Sequence, residues 1–505
     1  MLDQSFSYDN FRILLDVENR RGKYLQDKNI FDNDDDYFLE SRKLTEKIIK
    51  LNREIRDSQK ALSISSSPTE DEYKQHQELL DEKENIKEER EEKLEEALKK
   101  ISLITNDDDF KLVIKKGTVK FGDQLYITEN TVENYLVLKQ LQRNIYKTFS
   151  VKQADRKLII SQIKLLLSES FPKVIVRTDI SKFYESIPHK QLISKIEENS
   201  LLNNSSKRII KSILNQYWNL LIADGIKNST DERKGVPRGI GISAFLSELY
   251  LKDIDNIIKS IPNVIYYARY VDDIIIIISP PHRNEKKTAD QYKKLIEKVV
   301  NKFHLEMNSN KTKVFDLRKA NSERKTSIAY EITFLGYKFI KEFKKGKNKQ
   351  EQDIITSKKL VVNMSDSKLN RFKNKINYAF NEFDVNIVKY IGRERSTNKL
   401  LIQRIKVLTN NFRLYRRKSN VLIGIYFSNE FLTEDLSDLK DLDLFLKSEI
   451  NRLSSKLSPN TRLTLDKLSF IEGFRSKKTL NFNFNDKLLR GSINIDKILN
   501  IWHNL

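Results

Sequence analysis

The chain has 505 residues, of which 39% are hydrophobic, so it can bury the cores of roughly two to four domains. It contains no cysteine, which excludes disulfides, thiolate metal sites and cysteine nucleophiles. No apolar run approaches the roughly 18 residues that a membrane span needs, and the N-terminus lacks the pattern of a secretory signal, so we expect a cytoplasmic protein without a membrane partner. The 92 Lys and Arg exceed the 71 Asp and Glu and give a formal charge of +21. This excess favours a nucleic-acid partner, although a basic surface can also serve solubility alone.

Two charged segments near the N-terminus predict a helical hairpin, inserted at about residues 41–102. Residues 41–62 and 70–100 lack Gly and Pro, and their apolar residues recur at helical spacing. The second segment contains 13 acidic and 7 basic residues. Between them, a turn offers a helix start at Ser67 or Thr69. The hairpin is either an assembly element or a solvated protrusion, and the sequence leaves both interpretations open.

The end of the chain has a different pattern. From residue 345 onward, apolar and aromatic residues recur at helical intervals, which predicts an all-α domain with the length of several stacked helix pairs. The Lys-rich residues 341–353 predict a solvated linker before it. Residues 341–505 carry 33 basic and 18 acidic residues, a net charge of +15. Such a domain could hold nucleic acid by phosphate contacts and base stacking.

Acidic residues follow apolar strands in the middle of the chain. In VIYYARYVDDIIIIIS, five consecutive Ile predict a buried strand and place Asp272 and Asp273 at a hairpin tip. Asp is common in hairpin turns, so this pair alone indicates little. A second apolar strand ends at Asp179, however, and three carboxylates beside a core are costly unless cations neutralise them. We therefore predict that Asp179, Asp272 and Asp273 bind two Mg²⁺ ions, about 3.5–4 Å apart, for nucleotidyl transfer.

These segments resemble the ordered motifs of the reverse transcriptase family. Five blocks occur in family order: RTDISKFYESI (177–187), GVPRGIGISAFLSELYL (235–251), YVDD (270–273), LEMNSNKTKVF (305–315) and FLGYKF (334–339). The resemblance implies that the three aspartates are catalytic metal ligands and that Lys311 protonates the pyrophosphate. It also implies that Tyr184, five residues after Asp179, excludes a 2′-hydroxyl, whereas the residues alone would also allow ordinary core packing.

The second block departs from the family. The usual Pro-Gln-Gly is replaced by Pro237-Arg238-Gly239, and Arg is an obligate cation suited to phosphate. We therefore predict that Arg238 and Gly239, with Tyr184, form the nucleotide-binding site. The change casts doubt on ordinary template reading and leaves nucleotide addition intact.

The segment SVKQADRKLIISQIKLLLSE (150–169) is similar to the abortive-infection, phage-defence branch of bacteria and prophages, and the layout is nearest to the P2-like prophage type. This branch implies DNA synthesis from dNTPs without a template, with Mg²⁺ or alternatively Mn²⁺ as cofactor. It also implies priming on a protein hydroxyl, a single-stranded DNA product attached to the protein and a homo-oligomer. An RNA partner stays open. Our first candidate for the primer is Tyr8, in a polar stretch that we expect to be mobile, and Tyr24 is the second.

Taken together, the sequence predicts an α+β fold. Residues 1–344 should form a right-hand polymerase palm with helical fingers, and residues 345–505 an α-helical, helical-repeat-like C-terminal domain. Two other functions stay open: a templated reverse transcriptase of retron or group II intron type, and a non-catalytic RNA-binding scaffold.

Overall fold

A computed structural model describes residues 3–27, 30–32, 36–64, 67–120, 122–198, 201–280, 287–317, 328–347, 353–389, 394–416, 419–483 and 495–502. The chain folds into two compact units. The first unit comprises Met1–Gln153, Ile180–Ile258 and Glu297–Met307, and the second comprises Ala154–Asp179, Lys259–Ile296 and Asn308–Leu505. Within the described ranges, no helix has the length and apolar character that crossing a bilayer requires.

Helices and strands are interspersed along the chain. The helices are α1 (Tyr8–Arg20), α2 (Leu39–Ile64), α3 (Glu70–Asn106), α4 (Val132–Phe149), α5 (Arg156–Ser168), α6 (Phe183–Ser186), α7 (His189–Glu197), α8 (Asn204–Ala223), α9 (Gly241–Ser260), α10 (Ala289–Lys302), α11 (Asp366–Lys389), α12 (Glu394–Thr409), α13 (Ser437–Arg452), α14 (Pro459–Asp466), α15 (Phe470–Ser476) and α16 (Ile495–Leu499). The strands are β1 (Ile114–Lys120), β2 (Asp123–Thr128), β3 (Val174–Asp179), β4 (Val264–Tyr270), β5 (Asp273–Ile278), β6 (Lys313–Asp316), β7 (Ile328–Phe334), β8 (Tyr337–Lys347), β9 (Asp353–Met364), β10 (Asn411–Arg416), β11 (Ser419–Gly424) and β12 (Thr479–Asn483).

In the first unit, α2 and α3 form a helical hairpin over the segment where the sequence predicts one. The start of α3 is a capping box: the Thr69 hydroxyl accepts from the Glu72 backbone N–H at 3.3 Å, and the Glu72 carboxylate accepts from the Thr69 N–H at 2.8 Å. The predicted helix start at Thr69 is therefore confirmed. The buried residues of α2 end at Ile55 and those of α3 begin at Leu94, so the distal half of the hairpin is stabilised mainly by its own helix pairing.

The core of the first unit is helical. Helices α4, α8 and α9 each bury one apolar face, with Leu141, Trp218 and Leu246 among its fully buried side chains. Two segments of this unit are joined by an isolated antiparallel β-bridge between Pro188 and Lys234. The bridge holds the loop before α9 against the segment that contains α6.

The second unit is built on a four-stranded antiparallel sheet in the order β4-β5-β3-β6. The five Ile of β5 are at most 1% exposed, because both faces of this central strand are covered. That explains why β5 is continuously apolar rather than alternating. The register pairs Val174 with Ile278 and ends at Asp179 opposite Asp273, so both carboxylates lie at one edge of the sheet.

The remaining strands correct the prediction for the C-terminal part. The predicted α+β class is confirmed, but residues 345–505 are not all α: β9 pairs with β8, and β11-β10-β12 form a further sheet in which β10 and β12 are parallel. The predicted linker is wrong as well, because its described residues extend the β8–β9 pairing as far as Lys347 opposite Asp353. The predicted domain boundary at residue 345 consequently falls inside β8. Backbone hydrogen bonds form a strand from Lys-rich sequence that hydrophobic periodicity assigns to solvent.

Candidate active site

Three carboxylates meet at the edge of the four-stranded sheet. Asp179 is the last residue of β3, and Asp273 is the first residue of β5 and its direct neighbour across the strands. Tyr270 also pairs with Asp273, which leaves Val271 and Asp272 as a two-residue hairpin turn. Asp179 is only 4% exposed. The predicted strand–turn–strand arrangement of the acidic residues is present.

The turn has an unusual backbone. Val271 has φ of 60°, in the left-handed region, whereas Asp272 keeps a negative φ. A β-branched residue rarely adopts this conformation, which costs roughly 1–2 kcal/mol relative to a right-handed residue. The strain occurs directly before Asp272, where strained backbone often marks a functional position.

The carboxylates are electrostatically coupled. Burial is the largest of the effects that together raise the pKa of Asp272 to about 6. The others are the neighbouring charges of Asp179 and Asp273 and a hydrogen bond between the carboxyl groups of Asp272 and Asp179. Burial also raises the pKa of Asp273. The cluster therefore holds more negative charge than its surroundings neutralise.

Two cations of the same unit contact the cluster. The Lys311 ammonium donates to Asp179 Oδ2 at 2.8 Å, and Arg177 Nη2 donates to Asp273 Oδ1 at 3.1 Å. The bond to Asp179 raises the pKa of Lys311, so this side chain stays protonated. Asn308 also donates its side-chain N–H to Asp179 Oδ2, at 3.4 Å. Lys311 is 55% exposed, so its ammonium remains accessible from solvent.

The donor chemistry of the cluster fits a hard divalent cation. In the described part of the chain, no three Asp, Glu, His or Cys side chains are arranged to hold one ion as they stand. Within the cluster, however, Asp179 and Asp272 share a hydrogen bond that needs a proton, and the pKa of Asp272 rises because their negative charges face each other. A cation with oxygen ligands, such as Mg²⁺, could replace that proton. We conclude that Asp179, Asp272 and Asp273 are suited to hold such an ion.

A second group of predicted site residues lies in the first unit. Arg238 Nε donates to Glu185 Oε1 at 2.5 Å, its Nη2 donates to Oε2 at 3.1 Å, and its Nη1 donates to Asp123 Oδ2 at 2.9 Å. Its guanidinium lies 5.1 Å from the centre of the half-buried Tyr184 ring. Gly239 has φ of 100°, and a Cβ there would approach Tyr126 O to 2.6 Å, so only glycine fits.

Sequence reasoning missed several residues of these groups. Arg177 lies two positions before Asp179 on β3, and residues two apart share a face of a strand, so it could have been found by alternation. Glu185 directly follows Tyr184, but no local pattern indicates that it pairs with Arg238, 53 positions later. Asn308 likewise reaches Asp179 only through the fold.

The two priming candidates lie in the first unit. Tyr8 is the first residue of α1, whose N-cap Ser7 accepts from the Asn10 N–H, and the preceding Phe6 is 1% exposed. The expectation of a mobile stretch around Tyr8 is therefore wrong, whereas its priming role stays a prediction. Tyr24 lies in a turn, where its carbonyl accepts from the Asp27 N–H at 3.1 Å.

Comparisons with known proteins bear on the central part of the chain. Residues 126–339, about two fifths of the chain, match the family model described as reverse transcriptase (RNA-dependent DNA polymerase). No curated protein matches the sequence significantly.

Among solved structures, the chain is similar to apo telomerase from Candida tropicalis, with 14% identity and a TM-score of 0.31 over 72% of this chain and 62% of that chain. Telomerase from Candida albicans in complex with a TWJ fragment of telomeric RNA gives 13% identity and a TM-score of 0.27, over 62% of this chain and 50% of that chain. Apo telomerase from Candida tropicalis truncated from its C-terminal domain gives 13% identity and a TM-score of 0.30, over 46% of this chain and 53% of that chain. The chain thus spans between 50% and 62% of these three telomerase chains. The matched range contains the three aspartates, Lys311, Tyr184, Arg238 and Gly239, so the candidate site residues lie in the part of the chain that is similar to reverse transcriptases.

Proposed function

We propose that this protein is a Mg²⁺-dependent DNA polymerase that transfers nucleotides from dNTPs to a hydroxyl group, with Mn²⁺ as an alternative cofactor. The observation that carries the proposal is the cluster of Asp179, Asp272 and Asp273, in which burial and mutual repulsion raise the pKa of Asp272 to about 6. Three carboxylates at such a cost are expected where a cation is needed for chemistry. A non-catalytic scaffold would have no use for them.

Each residue has a distinct task in this proposal. The three aspartates hold the cations, which would lower the pKa of the attacking hydroxyl and neutralise the departing pyrophosphate. Lys311 is accessible and protonated, so after it leaves Asp179 it can give a proton to a pyrophosphate oxygen. Arg177 keeps Asp273 in place through their ion pair. Tyr184 excludes nucleotides with a 2′-hydroxyl, and Gly239 allows the close backbone approach of its loop.

We extend the proposal to synthesis without a template, primed by a protein hydroxyl, in abortive-infection defence against phages. The support is the likeness of residues 150–169 to that branch and the Arg in place of Gln at position 238. The product would be single-stranded DNA attached to the protein, made by a homo-oligomer in the cytoplasm. Tyr8 is our first candidate for the primer, ahead of Tyr24. The competing candidate is a templated reverse transcriptase, which the reverse transcriptase family model also fits.

One experiment separates these functions. Purified protein is incubated with each labelled dNTP and Mg²⁺, with or without an RNA template and a DNA primer, and then analysed under denaturing conditions. Label that stays on the protein without template or primer is the expected result. Label that appears only in free DNA and only with template would replace this proposal with templated synthesis.

Two variants control the assay. Asp179→Asn and Asp272→Asn should each abolish incorporation, because a neutral amide binds Mg²⁺ poorly. Incorporation by either purified variant would end the assignment of the metal ligands. Asp290→Asn, at an exposed position of α10, is a matched control that should retain full activity.

A further inference from the structure

Arg238 has contacts that its sequence position does not predict. Two of its donors form a bidentate pair with Glu185 at 2.5 and 3.1 Å, and a third reaches Asp123 at 2.9 Å. The central carbon of the same guanidinium lies over the Tyr184 ring, 5.1 Å from its centre. The side chain is 28% exposed, so these contacts are only partly screened by water.

The backbone fixes these groups relative to one another. Val236 N–H donates to Tyr184 O and Gly235 N–H donates to Ile187 O, both at 2.7 Å. Tyr126 N–H donates to Arg238 O, also at 2.7 Å. The loop that carries Arg238 is therefore bonded on one side to the segment with Tyr184 and on the other to β2. These backbone hydrogen bonds fix the position of the Arg238 Cα and so limit which groups its side chain can reach.

The guanidinium nitrogens of Arg238 already donate to the carboxylates of Glu185 and Asp123. A bidentate carboxylate pair uses one edge of the guanidinium, and a phosphate that bound the same edge would leave Glu185 without its cation. The Tyr184 ring has two neighbours, the Arg238 guanidinium and the Phe183 ring, whose centre is 5.4 Å away. Losing the cation would remove one of these two contacts and weaken the restraint on the orientation of the ring.

We propose that Arg238 is a positioning residue, which holds the Tyr184 ring in the orientation that discriminates dNTPs from rNTPs and does not bind the nucleotide phosphates. Glu185 orients Arg238 in turn. This inference rests on the proposed function, in which Tyr184 selects the sugar. It replaces the phosphate role that the sequence predicts for Arg238.

The test measures the ratio of kcat/KM for a dNTP to kcat/KM for the matching rNTP. Arg238→Gln and Glu185→Gln should each lower the ratio, by about threefold to tenfold, which is the range for losing one cation–π contact. The double variant should be no worse than either single variant, because both remove the same restraint. Asp123→Ala is the matched control: it removes a contact of Arg238 that does not involve Glu185 or the ring, so the ratio should stay unchanged.

A role of Arg238 in binding the triphosphate would give different results. If Arg238 binds the triphosphate, Arg238→Gln raises KM equally for both nucleotide classes and leaves the ratio unchanged. Glu185→Gln would then free the cation and lower KM. Either outcome overturns the positioning role.

A stability measurement does not depend on activity. Thermal unfolding of Tyr184→Ala, Arg238→Gln and the double variant should show coupling between the two residues, whereas additive shifts would contradict their contact. Tyr184→Ala separates the two proposals. If it keeps the parent ratio, the sugar-selection part of the proposed function fails and the positioning role with it. If it lowers the ratio while Arg238→Gln does not, only the positioning role fails.

Discussion

Asp272 links the stability of the protein to pH in an unusual direction. Its pKa in the folded state is about 6, above the 3.8 of a solvent-exposed aspartate, so the folded state favours the protonated carboxyl. The cost of ionising Asp272 is absent below pH 4, grows as the pH rises from about 4 to 6, and is fully present above pH 6. Most carboxylates that gain partners on folding behave in the opposite way.

We predict that Asp272→Asn, which removes this charge, is more stable than the parent at pH 7 and loses that advantage near pH 4. With allowance for solvent screening, the difference should be on the order of 1 kcal/mol at neutral pH. Thermal unfolding of both proteins in EDTA, between pH 4 and 7, measures it. A difference in melting temperature that does not change with pH would refute the raised pKa of Asp272. Added Mg²⁺ should stabilise the parent more than the variant.

Val271 allows a test of backbone strain at the same turn. Val271→Gly and Val271→Ala both remove the branched side chain, but only glycine adopts φ of 60° without cost. The glycine variant should therefore be more stable than the alanine variant, by about 1 kcal/mol. Chemical denaturation of the two variants gives the difference. Equal stabilities would mean that the turn relaxes and stores no strain.

Single residues also show the limits of sequence reasoning. Asp179, Asp272 and Asp273 could be found because each is adjacent to a strongly apolar strand, and strand pairing brings such ends together. The partners Asn308 and Glu185 could not be found, because nothing local distinguishes them from other polar residues. The sequence predicted Arg238 as a site residue, but its contacts with Glu185 and Asp123 come from tertiary structure.

At the scale of elements, helix α5 ends in an unusual way. Its last carbonyls accept hydrogen bonds from two buried lysines: Lys173 donates to Leu166 O and, at 2.8 Å, to Glu169 O, while Lys341 donates to Ser168 O at 2.8 Å. The two ammonium groups satisfy carbonyls that the helix itself leaves unpaired and complement its dipole. Burial, with repulsion from Lys341, lowers the pKa of Lys173 to about 8.

We predict that Lys173→Met and Lys341→Met each destabilise the protein, by about 1–3 kcal/mol, because they leave buried carbonyls unsatisfied. Each single variant also relieves the repulsion between the two lysines, so that relief is counted twice in their sum. The double variant should therefore be more destabilised than the sum of the singles. Urea denaturation of the four proteins tests this, and a double variant at or below the sum would contradict it.

Elements differ in how far the sequence determines them. The strand β5 and the hairpin α2–α3 could be predicted because one physical signal dominates each, continuous β-branched residues in the first and a helical period in the second. The C-terminal strands could not. In β10 and β12 the pairing partners are far apart in sequence and parallel, so tertiary contacts override the helical spacing of their surroundings.

For the whole molecule, the net charge of +21 predicts salt-sensitive binding of nucleic acid. Residues 341–505 contribute +15, and within this region Lys467, Arg475 and Lys478 line a cavity of about 570 Å³. Binding of single-stranded DNA to the full chain should weaken steeply between 50 and 200 mM salt, with a slope of about −0.7 for each phosphate contact. Fluorescence anisotropy at several salt concentrations measures the slope.

Matched variants show where the contacts lie. Changing Lys467, Arg475 and Lys478 together to Gln should make the salt slope shallower by up to about 2. Changing Lys83 and Lys87, on the acidic helix α3, to Gln should leave the salt slope unchanged. If both sets behave alike, the charge of the whole surface attracts the strand and the C-terminal region has no special part in binding.

The interleaved course of the chain has a consequence for synthesis on the ribosome. The chain passes between the two units five times, and the first unit is completed only by Glu297–Met307. In the second unit, the partners of Asp179 are synthesised much later than Asp179 itself: first Asp273, and then Lys311, which follows Asp179 by 132 positions. A nascent chain or a truncated product that ends between residues 279 and 310 therefore contains both strands of the β4–β5 hairpin and still lacks Lys311. The contacts of Asp179 can therefore be completed only after more than half of the chain has been made.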